Sequence, residues 1–308
     1  MSTENKPLTG KVAVVLGATR ACGRGAAIEL GIAGATVYCT GRSSRADGDR
    51  IKDPETIEET AEMVQAHGGI AIPFKVDHTD AAQVAAFFER VAQERDGRLD
   101  ILVNVGASGG HPNELVSWAH GLPFWEADLD GGLSLLRGVF GHLITSRYAI
   151  PLMAVSNSGL VVEVTDGTSY SYRGANHGMF YYSLSKIMLI HIAEAIAADF
   201  RHKKLDGMAA VALTPGFIRS ESILRGNGDT EEIWQENRRK EEREQGLPPL
   251  SDAGCESPRY LGRAVVALAT DPNVVAKSGQ ALSTGQLMLE YGFTDIDGRR
   301  PFWDWTEC

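Results

Sequence analysis

Short apolar runs alternate with longer helical patterns along almost the whole chain. Lys11 to Leu16 is a continuous apolar run that ends in a glycine turn, the pattern of a strand buried on both faces of a parallel sheet. A small-residue helix is predicted over 23–33 and a second strand over 35–40. Pro54 opens a predicted helix that runs to about His67 and stops at Gly68-Gly69. Further strands are predicted over 70–76, 99–104, 160–165 and 208–213, with a short last strand near 281–284. Helices are predicted over 79–95, 126–154, 180–202 and 258–270. No internal repeat is visible. This βαβα order predicts an α/β fold, a doubly wound parallel sheet with helices on both faces. Ligands of such sheets sit at the carboxyl ends of the strands, near the switch in strand order.

One segment breaks the rhythm. Residues from about 219 to 256 are rich in Glu, Arg and Gly and hold one candidate helix, Thr230 to Gln245. Long irregular connections are often functional, so this insertion reads as a lid over a site, with a solvated surface insertion as the alternative. One domain over 1–290 is expected, followed by an aromatic tail over 291–308. The tail carries Phe293, Phe302, Trp303 and Trp305, too much apolar surface to leave in water, so it is expected to pack on its own or a neighbouring subunit.

Composition narrows the partners. In 308 residues, 30 Lys and Arg face 40 Asp and Glu, a formal net charge of −10, with 43% apolar residues. These fractions exclude a wholly disordered chain, and the acidic excess argues against nucleic acid or an anionic membrane as partner. No apolar run reaches the ~20 residues of a spanning helix, and the polar start has no signal-peptide core, so the cytosol is the default compartment. Cys22, Cys39, Cys255 and Cys308 form no CxxC pair, so neither a disulfide framework nor a zinc site is expected.

The first strand runs into Gly17-Ala-Thr19-Arg20-Ala21-Cys22-Gly23-Arg-Gly25. A glycine turn between a strand and a helix lets backbone approach a pyrophosphate, with the helix N-terminus supplying free N–H groups. The second strand ends in Thr40-Gly-Arg42-Ser43. A carboxylate there would bind the free ribose hydroxyls of NAD. Arg42, with Arg20 from the turn, instead suits the 2′-phosphate of NADP(H). Asp77, after the third strand, either meets the adenine or caps the next helix with Thr79.

Tyr182 and Lys186 are four apart at the start of the helix after the fifth strand, so they share a face. An ammonium beside a phenol eases proton transfer at neutral pH. With these residues in order, the chain resembles the short-chain dehydrogenase/reductase family over about residues 10–290. The resemblance rests on the turn from Gly17 to Gly23, on Asp77, on Asn104 after the fourth strand, on Tyr182 with Lys186, and on Pro215-Gly216 after the sixth strand. It implies a Rossmann-type domain, a nicotinamide cofactor and hydride transfer. Tyr182 would then be the proton donor, Lys186 would hold the nicotinamide ribose, and Pro215-Gly216-Phe217-Ile218 would lie by the nicotinamide.

Four positions depart from the family pattern. Ala21 stands for the middle glycine of the turn, and Asn104-Val105-Gly106-Ala107 for the usual Asn-Asn-Ala-Gly. Leu135 aligns with the catalytic asparagine. Asp166 follows the fifth strand where the catalytic serine belongs. Ser169 is its rival, because it has the usual spacing to Tyr182. The register of the strand favours Asp166. An ionised carboxylate cannot donate a hydrogen bond to a carbonyl oxygen, and it repels the alkoxide that forms there. It stabilises a cation instead, which suggests reduction of an imine or iminium.

Trp118, Phe124 and Trp125, then Met179, Phe180 and Tyr181, and Trp234 in the insertion, would suit a bulky, flat, indole-containing substrate. Together with Asp166, these features resemble the fungal indole-alkaloid reductases that also act as Diels–Alderases. That resemblance implies NADPH reduction of a cyclic iminium followed by an intramolecular [4+2] closure. A plain NADPH carbonyl reductase of a bulky ketone or aldehyde is the first alternative, and a non-catalytic NADPH-binding protein the second. The family also implies a homo-oligomer, dimer or tetramer, through helices 126–154 and 180–202.

Overall fold

The computed structural model describes residues 6–50, 54–106, 122–170, 179–245, 255–303 and 305. In chain order the elements are β1 (Val12–Leu16), α1 (Ala21–Ile32), β2 (Thr36–Gly41), α2 (Ile57–Ala66), β3 (Ile70–Lys75), α3 (Ala81–Glu94), β4 (Ile101–Asn104), α4 (Leu129–Ala154), β5 (Gly159–Val164), α5 (Phe180–His202) and β6 (Met208–Thr214). They continue with β7 (Phe217–Ile218), α6 (Glu221–Asn227), α7 (Glu231–Gln245), β8 (Cys255–Glu256), α8 (Pro258–Thr270), β9 (Ala281–Ser283) and α9 (Thr284–Tyr291).

The long strands form a parallel sheet of order β3-β2-β1-β4-β5-β6-β9, the doubly wound Rossmann-type arrangement that the alternation predicts. Successive residues of β1 feed opposite layers. Ala13 and Val15 pack with Ala26, Ala27 and Leu30 of α1 and with Leu261 and Ala264 of α8. Val12 and Val14 pack with Phe87 of α3, Met153 of α4 and Phe200 of α5. Two apolar layers, one on each side of the sheet, are what a parallel strand apolar at every position requires. β1 lies between β2 and β4, so the switch in strand order opens at the carboxyl ends of β1 and β4.

Several boundaries differ from the sequence reading, each for a local reason. Pro54 does not open α2; Thr56 does, its side chain accepting from the Glu59 N–H at 3.2 Å. α3 is capped by Asp80, which accepts from the N–H groups of Ala82 and Gln83, and not by Asp77. α9 was not predicted, although Ser283 and Gln286 form a capping box at its start. The insertion holds α6 as well as the expected helix. The tail packs on its own chain: Phe293 meets Tyr260 of α8 edge-on at 5.1 Å, and the Tyr260 hydroxyl donates to the Pro301 carbonyl at 3.0 Å. Among the described residues no helix is long and apolar enough to cross a membrane.

Candidate active site and cofactor cleft

Two cavities lie along the carboxyl edge of the sheet. One, of about 330 Å³, is bounded by the turn after β1 and the tips of β2 and β3. The other, of about 440 Å³, is bounded by the ends of β5 and β6, the start of α5 and the turn after β6. Ala21, Val105 and Gly106 line both, so the two run together as one cleft.

The turn after β1 is shaped by close approaches. Gly17 has φ +72°, and a Cβ there would lie 2.3 Å from the Val105 carbonyl oxygen. A Cβ on Gly23 would lie 2.1 Å from the Gly17 carbonyl oxygen. Side chains at either position would push helix, turn and strand apart. Ala21, at the position of the family's middle glycine, has φ +46°, a left-handed conformation that costs a non-glycine residue roughly 1–2 kcal/mol. Its N–H, at the positive end of α1, donates to Glu221 Oε2 of α6 at 2.8 Å. Arg24 holds the same α6 carboxylate at 3.6 Å and Glu59 at 2.5 Å. Arg20 lies 3.9 Å from the buried carboxyl of Glu55, which also pairs with Arg225 of α6. Helix α6 is thus tied to the mouth of the first cavity through both its acidic and its basic side chain. Neither tie was visible in the sequence.

Thr19, Arg20, Arg42, Ser43 and Asp77 line the first cavity, with Arg42 exposed at its rim. Asp77 accepts from the N–H and the hydroxyl of Thr79 at 2.9 and 2.7 Å, a local turn and not a helix cap. His78, missed by the sequence reading, also lines this cavity and lies between the hydroxyls of Thr40 (2.7 Å) and Thr145 (2.8 Å). Burial pushes its pKa down to about 3, so it stays neutral. Asn104 and Gly23 do not line the cleft. Asn104 turns inward, donating to Glu163 Oε1 at 2.7 Å and to Ser146 at 3.0 Å. His142 bridges the other Glu163 oxygen and the Gly106 carbonyl, each at 2.6 Å. This buried network holds the Val105–Gly106 strap from behind.

The second cavity gathers Cys22, Leu135, Asp166, Met179, Tyr182, Lys186, Pro215, Gly216 and Ile218, with Thr165, Ser185 and Ile223, which the sequence reading did not single out. The Tyr182 hydroxyl donates to Asp166 Oδ2 at 2.7 Å. Lys186 Nζ lies 5.2 Å from the Tyr182 ring centre. Burial pushes the Lys186 ammonium below its ordinary value, and Asp166 opposes that shift. Thr165 donates to the Lys186 carbonyl at 2.8 Å, and the Gly167 N–H donates to Thr214 at 2.9 Å, so the loop carrying Asp166 is pinned on both sides. Ser169 is exposed and lies outside the cavity lining. The Cys22 thiol is pushed up to about 12 by burial and offers no nucleophile.

The aromatic residues distribute differently from the expectation. Among the described residues of that set, Met179 alone lines the reactive cavity. Phe124 and Phe180 stack at 4.9 Å beside it, while Trp125 is 72% exposed. Trp118 lies outside the described residues. Trp234 stacks with the guanidinium groups of Arg219 (4.4 Å) and Arg299 (4.9 Å). Arg219 itself is fully buried and joins Glu231 of α7 to Asp295 and Asp297 of the tail, at 2.9, 3.3 and 3.2 Å. The Trp234 indole is thus engaged by two cations of a charged cluster and does not line the cavity.

The short chain dehydrogenase family profile matches residues 11–227. The chain belongs to the short-chain dehydrogenase/reductase family. It is 33% identical over 297 residues to dehydrogenase/reductase SDR family member 1 of Homo sapiens, across 95% of this chain and 85% of that protein. It is 26% identical over 284 residues to a 3-oxoacyl-[acyl-carrier-protein] reductase of Synechocystis sp., across 92% and 99% of the two chains. Among solved structures, one from Beutenbergia cavernae named for gluconate 5-dehydrogenase, with NADP bound at low occupancy, superposes with a TM-score of 0.65 at 24% identity, across 91% of this chain and 97% of that one. This short-chain dehydrogenase is therefore an oxidoreductase of a fold that binds nicotinamide cofactors.

Proposed function

We propose that this short-chain dehydrogenase is an NADP(H)-dependent reductase whose reactive site is built for a cationic C=N⁺ electrophile. The hydrogen bond from Tyr182 to Asp166 carries this reading, because it sets a carboxylate in the reactive cavity beside the phenol. The cleft fits a dinucleotide: Gly17 lets the turn close tightly against Val105, and the N–H of Ala21 lies at a helix N-terminus that borders the cavity. Ala21 and its turn would hold the pyrophosphate, Arg42 and Arg20 a 2′-phosphate, Asp77 the adenosine, and Lys186 with the 215–218 turn the nicotinamide end. The bound nicotinamide supplies the hydride. Asp166 accepts a hydrogen bond from the phenol, keeps its own charge and presents it to the substrate, which lowers the barrier for a substrate that starts positive and raises it for one that becomes an alkoxide. Lys186, near the Tyr182 ring, balances that charge. Leu135, Met179, Ile218 and Ile223 give the cavity an apolar wall suited to a bulky substrate such as a cyclic, indole-bearing iminium. The [4+2] closure would take place in this same cavity by proximity. Leu133, Phe140 and Leu143, exposed along α4, support a homo-oligomer built on that helix.

A carbonyl reductase is the second reading. Tyr182 and Lys186 in one cavity and the Synechocystis relative named for a 3-oxoacyl substrate favour it. NADPH consumption against a matched pair, a bulky cyclic iminium and its ketone counterpart, separates the two, with products identified by mass. Turnover of the iminium alone supports the cationic reading, and a cyclised product extends it. Turnover of the ketone alone overturns it. Tight NADPH binding without turnover of either would mark a non-catalytic binding protein.

A further inference from the structure

Behind the turn after β6 lies a carboxyl group that the chemistry above does not use. Glu256, on β8, is fully buried. Its Oε1 accepts from the Gly216 N–H at 2.9 Å and from the Thr284 hydroxyl at 2.7 Å. Its Oε2 is buried with no hydrogen-bond partner. Gly216 lines the reactive cavity, and β8 pairs with β7, the strand that carries Ile218. Glu256 is therefore the support behind the Pro215-Gly216-Phe217-Ile218 turn.

We propose that Glu256 is a positioning residue that sets the balance between reduced and oxidised cofactor: neutral, it holds the turn without adding charge, and ionised, it places a negative charge behind the nicotinamide end of the cleft. The inference rests on the NADP(H) reading of the cleft. The two cofactor forms differ by one positive charge on the nicotinamide ring, so a fixed charge beside that end acts on their ratio.

The surroundings make the group switchable. A lone oxygen with no donor favours the protonated acid, and burial together with Asp295 pushes the Glu256 pKa up to about 8. The Thr284 hydroxyl, the Gly216 N–H and Arg219 pull the other way. Cys22 of α1, in the cavity wall, feels the Glu256 charge but stays neutral itself. Asp166, Tyr182 and Lys186 line the cavity that Gly216 also lines, and all three are present in wild type and in each Glu256 variant.

The test measures the affinity of the full-length protein for NADPH and for NADP⁺ by calorimetric titration from pH 6.5 to 9.5, in wild type and in Glu256→Gln. The amide is isosteric and keeps an oxygen for the Gly216 N–H of the turn and for the Thr284 hydroxyl of α9. The ratio of the two affinities cancels the titration of the cofactor phosphates. Wild type is expected to lose its preference for NADPH by several-fold as the pH passes about 8, while Glu256→Gln stays flat. Thr284→Val removes a bond that favours the ionised acid, so its transition is expected at higher pH than that of wild type. Parallel ratios in wild type and Glu256→Gln overturn the role of Glu256 and leave the cofactor reading standing. Absence of binding of either nucleotide to either protein at pH 7 overturns the cofactor reading, and this inference with it.

Discussion

Tyr182 and Asp166 are joined by a 2.7 Å hydrogen bond in which the phenol donates to the carboxylate. The phenolic proton is thereby aimed at a fixed anion within the cavity. Asp166→Asn keeps a side-chain oxygen for the phenol and removes the negative charge. It is expected to lower kcat/KM for an iminium by about 100-fold, the size of one lost electrostatic contact to a developing transition state, while NADPH still binds. Asp166→Ser is expected to raise ketone reduction, because a hydroxyl can donate to an alkoxide. Steady-state kinetics on the matched iminium and ketone check both. Full iminium turnover by Asp166→Asn would sink the cationic reading.

Arg42 stands exposed at the rim of the first cavity, at the tip of β2, with no carboxylate on that strand end. Its charge is free to meet a 2′-phosphate in a way that Arg20, drawn toward Glu55, is not. Arg42→Ala is expected to weaken NADPH binding by roughly 10- to 100-fold, the worth of a charge-assisted hydrogen bond of ~1.5–3 kcal/mol. NADH binding should stay unchanged. Equal losses for both nucleotides would show that Arg42 shapes the turn and reads no phosphate.

Glu221 occupies the N–H of Ala21, the donor that the glycine turn offers to a phosphate. Carboxylate and phosphate compete for the same positive helix end. Glu221→Gln is expected to tighten NADPH binding by about fivefold, corresponding to ~1 kcal/mol, and to lower the melting temperature of the free protein slightly. Unchanged affinity in a calorimetric titration would mean that the carboxylate and the cofactor do not share this donor.

Glu256 gives the fold its own pH dependence. Its folded pKa is raised to about 8 from an ordinary 4.5, so the unfolded chain releases this proton at lower pH than the native protein does. The stability contributed by the neutral acid is complete below about pH 4.5 and is lost progressively as the pH rises to about 8. Relative to Glu256→Gln, wild type is therefore expected to lose melting temperature across that window and to run parallel to the variant above it. Thermal unfolding of both proteins at matched ionic strength checks this. A constant difference from pH 5 to 9 would contradict a buried neutral carboxyl.

Much of the framework was legible before any coordinates. Continuous apolar runs located the parallel strands, and 3.6-residue spacing placed Tyr182 and Lys186 on one helix face that lines the reactive cavity. These are local signals, set by periodicity along the chain and by the glycine turn after β1. The capping box at Ser283 was equally local and was overlooked.

What the sequence alone determined is the order of strands and helices, and with it the edge of the sheet where a cleft must open. Parallel strands with buried faces admit few other arrangements. Only the tertiary structure decided which polar groups meet across that edge. Glu221 reaches Ala21 across 200 positions, Glu256 reaches Gly216 across 40, and Arg219 reaches Asp297 across 78. Trp234 was drawn onto two arginines and not into the cavity, and Asn104 into the buried network with Glu163. Such pairings leave no periodic trace, because a buried charge or amide takes whatever partner the fold brings within reach. Between Asp166 and Ser169 the strand register in the sequence already favoured Asp166; the fold adds that the loop after β5 is pinned at Thr165 and Gly167, with Asp166 in the cavity lining and Ser169 outside it.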